Sequence, residues 1–147
     1  MPPARGLTQA LGATWGFNLF SIKSNASDRE LAFISSSGDY FTVELRGSSL
    51  CATQVVWAYT DADGLCQLFS RLGEYSRPWT GLEIWESIEG DFRLSAACSS
   101  LGSVTFSVEM AGLQGAPEEW RVSASLVTEM GRMQELSAGA HRFFGGA

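Results

Sequence analysis

The sequence predicts an α+β domain: a largely antiparallel, meandering sheet of about eight strands with two helices, in the order four strands, helix, four strands, helix. Two observations carry this. Residues 40–46, 50–59, 92–98 and 104–110 alternate their side chains with the period of a strand. Residues 65–72 and 133–144 repeat apolar side chains every three or four positions, the period of a helix with one buried stripe.

A short strand is expected over 17–22, with Phe17 and Leu19 and then Phe20 and Ile22, and a second over 31–35. In 40–46, Phe41, Val43 and Leu45 face one way and Tyr40, Thr42, Glu44 and Arg46 the other, until Gly47 breaks the run. Over 50–59 both faces are fairly apolar, which predicts a central strand. The first helix is expected to be capped by Asp61 or Asp63, whose carboxylates can accept from unpaired backbone N–H groups. Leu65, Leu68, Phe69 and Leu72 form its apolar face, and Pro78 ends the element.

Strand character returns at 82–88, where Leu82, Ile84, Glu86 and Ile88 alternate with Glu83, Trp85 and Ser87. Glu89, Gly90 and Asp91 read as a turn. Phe92, Leu94, Ala96 and Cys98 face the core of the next strand, then Val104, Phe106, Val108 and Met110, and after Pro117 come Trp120, Val122, Ala124 and Leu126. In the last helix Thr128 is the expected cap, Met133, Leu136, Ala140 and Phe143 or Phe144 the stripe, and Gly145 with Gly146 the stop. Residues 1–14, rich in Pro, Gly and Ala, are expected to be a flexible arm, and 15–147 a single domain.

Composition narrows the function. A net charge of −6 with ten scattered basic residues disfavours nucleic acid, which demands clustered Lys and Arg, and an anionic membrane surface for the same reason. No run approaches the apolar length of a membrane span, and the first residues lack the apolar core of a signal peptide, so a cytoplasmic protein is expected. Cys51, Cys66 and Cys98 are odd in number and widely spaced, which predicts three reduced, mostly buried thiols rather than a disulfide framework.

The same spacing argues against a metal site built from these cysteines and His141, because ligands normally come in close pairs. No nucleophile elbow and no phosphate-binding glycine loop is present. His141, the single histidine, reads as a surface residue of the last helix. No cofactor is expected, and the balance leans away from an enzyme. The carboxylates of Glu83, Glu86, Glu89 and Asp91 crowd one hairpin beside Trp79 and Trp85, a combination of aromatic anchors and acidic charge suited to a basic protein partner.

The segment YFTVELRGSSLCATQVVWAY, followed by DGLCQLFSRL, WTGLEIWESIEGDFRLSAACSSLGSVTFSVEM and EWRVSASL, resembles a family of short bacterial proteins common in actinobacteria, a domain of unknown function. The resemblance spans about residues 33–144. Its frame is VELRG, DGL opening a helix, WxGxxxWxSxEGDxxLxA, then GxV and WxV, with Trp79, Gly81, Trp85, Ser87, Glu89, Gly90 and Asp91 its most specific positions. That family's pattern implies polar residues, often His and Asp, where this chain has Cys98, Ser99 and Ser103. A histidine site at those positions would be absent from this member. The layout is also similar to small immunity proteins of bacterial toxin systems, acidic sheet-plus-helix domains that block a toxin by binding it.

Three functions follow as expectations. The first is a non-enzymatic, immunity-type binding protein that engages a basic, toxin-like protein through Trp79, Glu83, Trp85, Glu86, Glu89 and Asp91. The second is a small-molecule-binding or enzymatic domain with a cleft between sheet and first helix, lined by Trp57, Tyr59 and Trp85. The third is a self-assembling structural protein, a homodimer formed through a sheet edge or face.

Overall fold

The computed structural model describes residues 19–58 and 64–145. Along them run β1 (Phe20–Lys23), β2 (Glu30–Ser37), β3 (Tyr40–Arg46), β4 (Cys51–Trp57), α1 (Gly64–Glu74), β5 (Glu83–Glu86), β6 (Phe92–Cys98), β7 (Ser103–Gly112), β8 (Trp120–Glu129) and α2 (Met133–Phe144). The fold is α+β with the expected order of elements. The strands form two four-stranded antiparallel meanders, β1-β2-β3-β4 and β5-β6-β7-β8, with α1 as the break between them.

Alternation explains the core. In the first sheet Phe20, Ile22, Leu31, Phe33, Phe41, Val43 and Leu45 point inward, and in the second Phe92, Leu94, Phe106, Val108 and Leu126 do so. They join Leu65, Leu68, Phe69 and Leu72 of α1 and Met133, Leu136, Ala140 and Phe143 of α2 in one cluster. Burying each large side chain contributes about 1.5–3 kcal/mol. Phe33 links the layers: its ring stacks on Phe20 at 5.3 Å, meets Phe92 of the other sheet edge-on at 6.1 Å, and meets Phe144 of α2 at 5.5 Å.

The helices pack against each other, α1 also against β5 and α2 against β1. Two glycines permit the close approach. A Cβ on Gly73 of α1 would lie 2.8 Å from Ser137 Cβ of α2, and one on Gly139 would lie 2.9 Å from the Phe20 ring.

Three sheet edges are occupied. β1 and β8 meet edge to edge: Asn25 N–H donates to Val127 O at 2.8 Å, Val127 N–H to Ser24 Oγ at 3.1 Å, and Arg29 to Ser125 O at 3.0 Å. On β4, the Gln54 side chain accepts from Val55 N–H at 3.0 Å and donates to Ala111 O, tying that edge to the end of β7.

Several expectations change. The first strand starts at Phe20, and Phe17 lies outside the described residues, as do Tyr59, Asp61, Asp63 and Gly146. The strand expected to be central, β4, is the edge of its sheet, and Val55 is 54% exposed on its outer face. Its apolar outer residues therefore meet solvent rather than a second layer. α1 ends at Glu74, before Pro78 is reached. Thr128 does not cap α2: it pairs with Val104 within β8, and a 3₁₀ turn over Met130–Arg132 leads into the helix, whose N-cap is Arg132. Of the three cysteines only Cys66 is buried, since Cys51 lies on the exposed face of β4 and Cys98 at the end of β6. Among the described residues no helix is long and apolar enough to cross a membrane.

Candidate functional site: the acidic hairpin of β5 and β6

The segment WTGLEIWESIEGD folds around one hydroxyl. Ser87 Oγ donates to Asp91 Oδ1 at 2.6 Å and accepts from the backbone N–H groups of Asp91 and Phe92, each at 3.1 Å. Ser87 N–H donates to Phe92 O at 2.9 Å, closing the loop between the strands. Gly90 sits at φ 74°, a left-handed conformation that glycine adopts without a steric penalty. Asp91 is buried here, and its backbone carbonyl accepts from Ala111 N–H at 3.0 Å. Its carboxylate fixes the turn.

That turn sets which face of β5 is inside. Trp85 is buried, against Phe41 at 6.1 Å and Phe92 at 6.3 Å. Trp79 is also buried, stacked on Tyr75 at 4.7 Å, and its indole N–H has no acceptor among the described residues. Both rings thus lie in the core rather than on the surface.

Glu83 ties β5 to α1. The Tyr75 hydroxyl donates to Glu83 Oε2 at 2.5 Å, and Arg71 Nε donates to Oε1 at 2.8 Å. The phenol's hydrogen bond, and second the guanidinium, hold the Glu83 carboxyl below its ordinary pKa. The same bond, with burial, raises the Tyr75 phenol above its own ordinary value. A carboxylate held by two donors is a structural acceptor, not a ready proton donor.

The outward face is different. Leu82, Ile84 and Ile88 are 57%, 40% and 52% exposed, with Glu86 and Glu89 exposed between them. Among the described residues neither glutamate has an ion-pair partner, and Arg93, which faces Glu86 in register, is paired with Glu109 at 3.3 Å. Beside them Glu86, Gly90, Arg93, Glu109 and Arg121 help to line a depression of about 220 Å³. Of the six residues expected to touch a partner, Glu86 and Glu89 are exposed, Glu83 is engaged with α1, and Trp79, Trp85 and Asp91 are buried.

That Leu82, Ile84 and Ile88 meet solvent is not written in the sequence around them. Their alternation with Glu83, Trp85 and Ser87 was the available signal, but a tryptophan on one side and two isoleucines on the other leave its sense open. The buried Ser87–Asp91 bond decides it.

Trp57 and Trp85 do not line a common cleft. Trp57 faces outward beside its register partner Tyr40, whereas Trp85 packs inside on Phe41. His141 is exposed on α2, with Nδ1 3.2 Å from Ser137 O. Among the described residues no three His, Cys, Asp or Glu side chains gather as a metal site would require.

A sequence model described as Family of unknown function (DUF6228) matches residues 24–147. No curated protein and no solved structure matches the chain.

Proposed function

The chain belongs to that family of unknown function, and from this premise we propose that it is a non-enzymatic binding protein of immunity type, acting in the cytoplasm on a basic, toxin-like protein partner. The observation that carries the reading is the outward face of the β5–β6 hairpin: three exposed aliphatic side chains, Leu82, Ile84 and Ile88, interleaved with Glu86 and Glu89. Apolar anchors supply the burial that holds a complex. Unpaired acidic charge beside them selects a basic surface and speeds its approach. Trp79, Trp85, Glu83 and Asp91 support this face from behind, by packing and by fixing the turn, rather than by touching the partner.

The test is affinity purification of the tagged protein from lysate of its native host, in parallel with Glu86→Arg/Glu89→Arg. A stoichiometric basic protein held by the wild type and lost from the variant is the expected outcome. Equal capture by both, or recovery of the chain alone at low salt, overturns the reading.

A further inference from the structure

We propose that the partner docks by strand addition: an extended segment that carries apolar, basic and apolar side chains in turn along one face pairs with the edge of β5 away from β6. This inference rests on the proposed function and specifies how the same hairpin would be engaged.

The hydrogen-bond phase of the hairpin supplies the argument. Ser87 N–H donates to Phe92 O, so these two residues face each other in the position of a bonded pair, with the Phe92 N–H taken by the Ser87 hydroxyl. In an antiparallel ladder such pairs alternate with non-bonded ones. With the register Glu86↔Arg93, Trp85↔Leu94, Ile84↔Ser95 and Glu83↔Ala96, Trp85 and Glu83 direct their backbone groups to β6. Ile84 and Glu86 direct theirs away from it, to the side of β5 opposite β6.

A row of unpaired N–H and C=O groups is a template for another strand, and proteins usually blunt it. This chain does so elsewhere. β1 and β8 satisfy each other through Ser24, Asn25, Arg29 and Val127, and Gln54 covers Val55 on β4. Among the described residues, the backbone groups of Ile84 and Glu86 have no such guard.

The occupant follows from the side chains flanking this edge. Ile84, at 40% exposure, and Ile88, at 52%, offer apolar contacts to residues four positions apart on one face of an added strand, with the residue opposite Glu86 between them on that face. Glu86 and Glu89 favour Lys or Arg between them. A second copy of this chain is disfavoured at the same edge, because it would add its own Glu86 and Glu89 to an edge that already carries that pair.

The probe is an acetylated, amidated heptapeptide with valine, lysine and valine at its second, fourth and sixth residues and threonine between them, so that one face carries the three, added at millimolar concentration to the isotope-labelled protein. The expected result is a shift of the Ile84 and Glu86 amide resonances and slowed exchange of those amides with solvent. Backbone N-methylation of the peptide at one residue parity should weaken binding about tenfold or more, while methylation at the other, whose N–H groups point away from β5, should not. Ile84→Pro removes one outward donor without touching the pairing to β6, and should weaken binding similarly. If that variant does not fold, the methylated peptides still decide.

Equal binding by all the peptides and by Ile84→Pro, with shifts still at the hairpin, overturns strand addition and leaves the acidic-hairpin reading intact. No binding, shifts elsewhere, or equal binding of a glutamate-for-lysine peptide overturns both. A concentration-dependent dimer in the absence of peptide, with Ile84 and Glu86 amides protected, assigns the edge to a second copy and overturns the proposal.

Discussion

The Tyr75 hydroxyl lies 2.5 Å from Glu83 Oε2, and through this bond the residue that follows α1 holds the first residue of β5. The carboxylate prefers to stay ionised in the folded protein because the phenol, and then Arg71, donate to it. A depressed carboxyl pKa contributes stability above the unfolded value, about 4.3, and loses it as pH falls through the folded value.

Tyr75→Phe should therefore cost about 1 kcal/mol at neutral pH, the usual worth of a hydrogen bond near the surface. The difference from wild type should shrink in acid, once Glu83 is protonated in both proteins. Urea denaturation at pH 7 and at pH 3 measures it. A pH-independent difference would mean that the hydroxyl does not act through the ionised Glu83 carboxylate.

Gly73 and Ser137 mark the helix crossing. Alanine in place of a helical glycine normally stabilises by up to about 1 kcal/mol. Here the new methyl group would stand 2.8 Å from Ser137 Cβ, so Gly73→Ala should instead destabilise by about 1–3 kcal/mol. Ser137→Gly should remove most of that penalty. A double-mutant cycle by thermal or urea unfolding should give a coupling of about 1 kcal/mol or more, and additive effects would argue that the helices move apart without cost.

Ser87→Ala leaves two buried N–H donors and the Asp91 carboxylate without their shared partner. The expected loss is about 2–3 kcal/mol, with faster hydrogen exchange at Phe92. Ser87→Thr, which keeps the hydroxyl, should retain most of the stability. An unchanged exchange rate in Ser87→Ala would show that Gly90 and the ladder alone hold the turn.

How much of this was legible follows from what each signal depends on. Strand period and helix period are local, so β3, β6, β7 and both helices could be read from alternation and apolar stripes. The charge of the hairpin is likewise written in Glu83, Glu86, Glu89 and Asp91. Which of these carboxylates meets solvent is not: Asp91 is turned inward by Ser87, and Glu83 is taken up by Arg71 of α1 and by Tyr75 just after it. The local pattern of β4, apolar on both faces, suggested a central strand, yet strand order depends on which edges find partners.

The sequence by itself determined the α+β class, the order of its elements and the acidic character of one hairpin, because periodicity, turn chemistry and charge reside in neighbouring residues. Only the tertiary structure decided that the strands divide into two sheets, that Trp79 and Trp85 are core, and that Leu82, Ile84 and Ile88 face outward. Those outcomes depend on contacts between residues far apart in the chain, where the burial of Phe33 against Phe92 and of Trp85 against Phe41 fixes what remains for the surface.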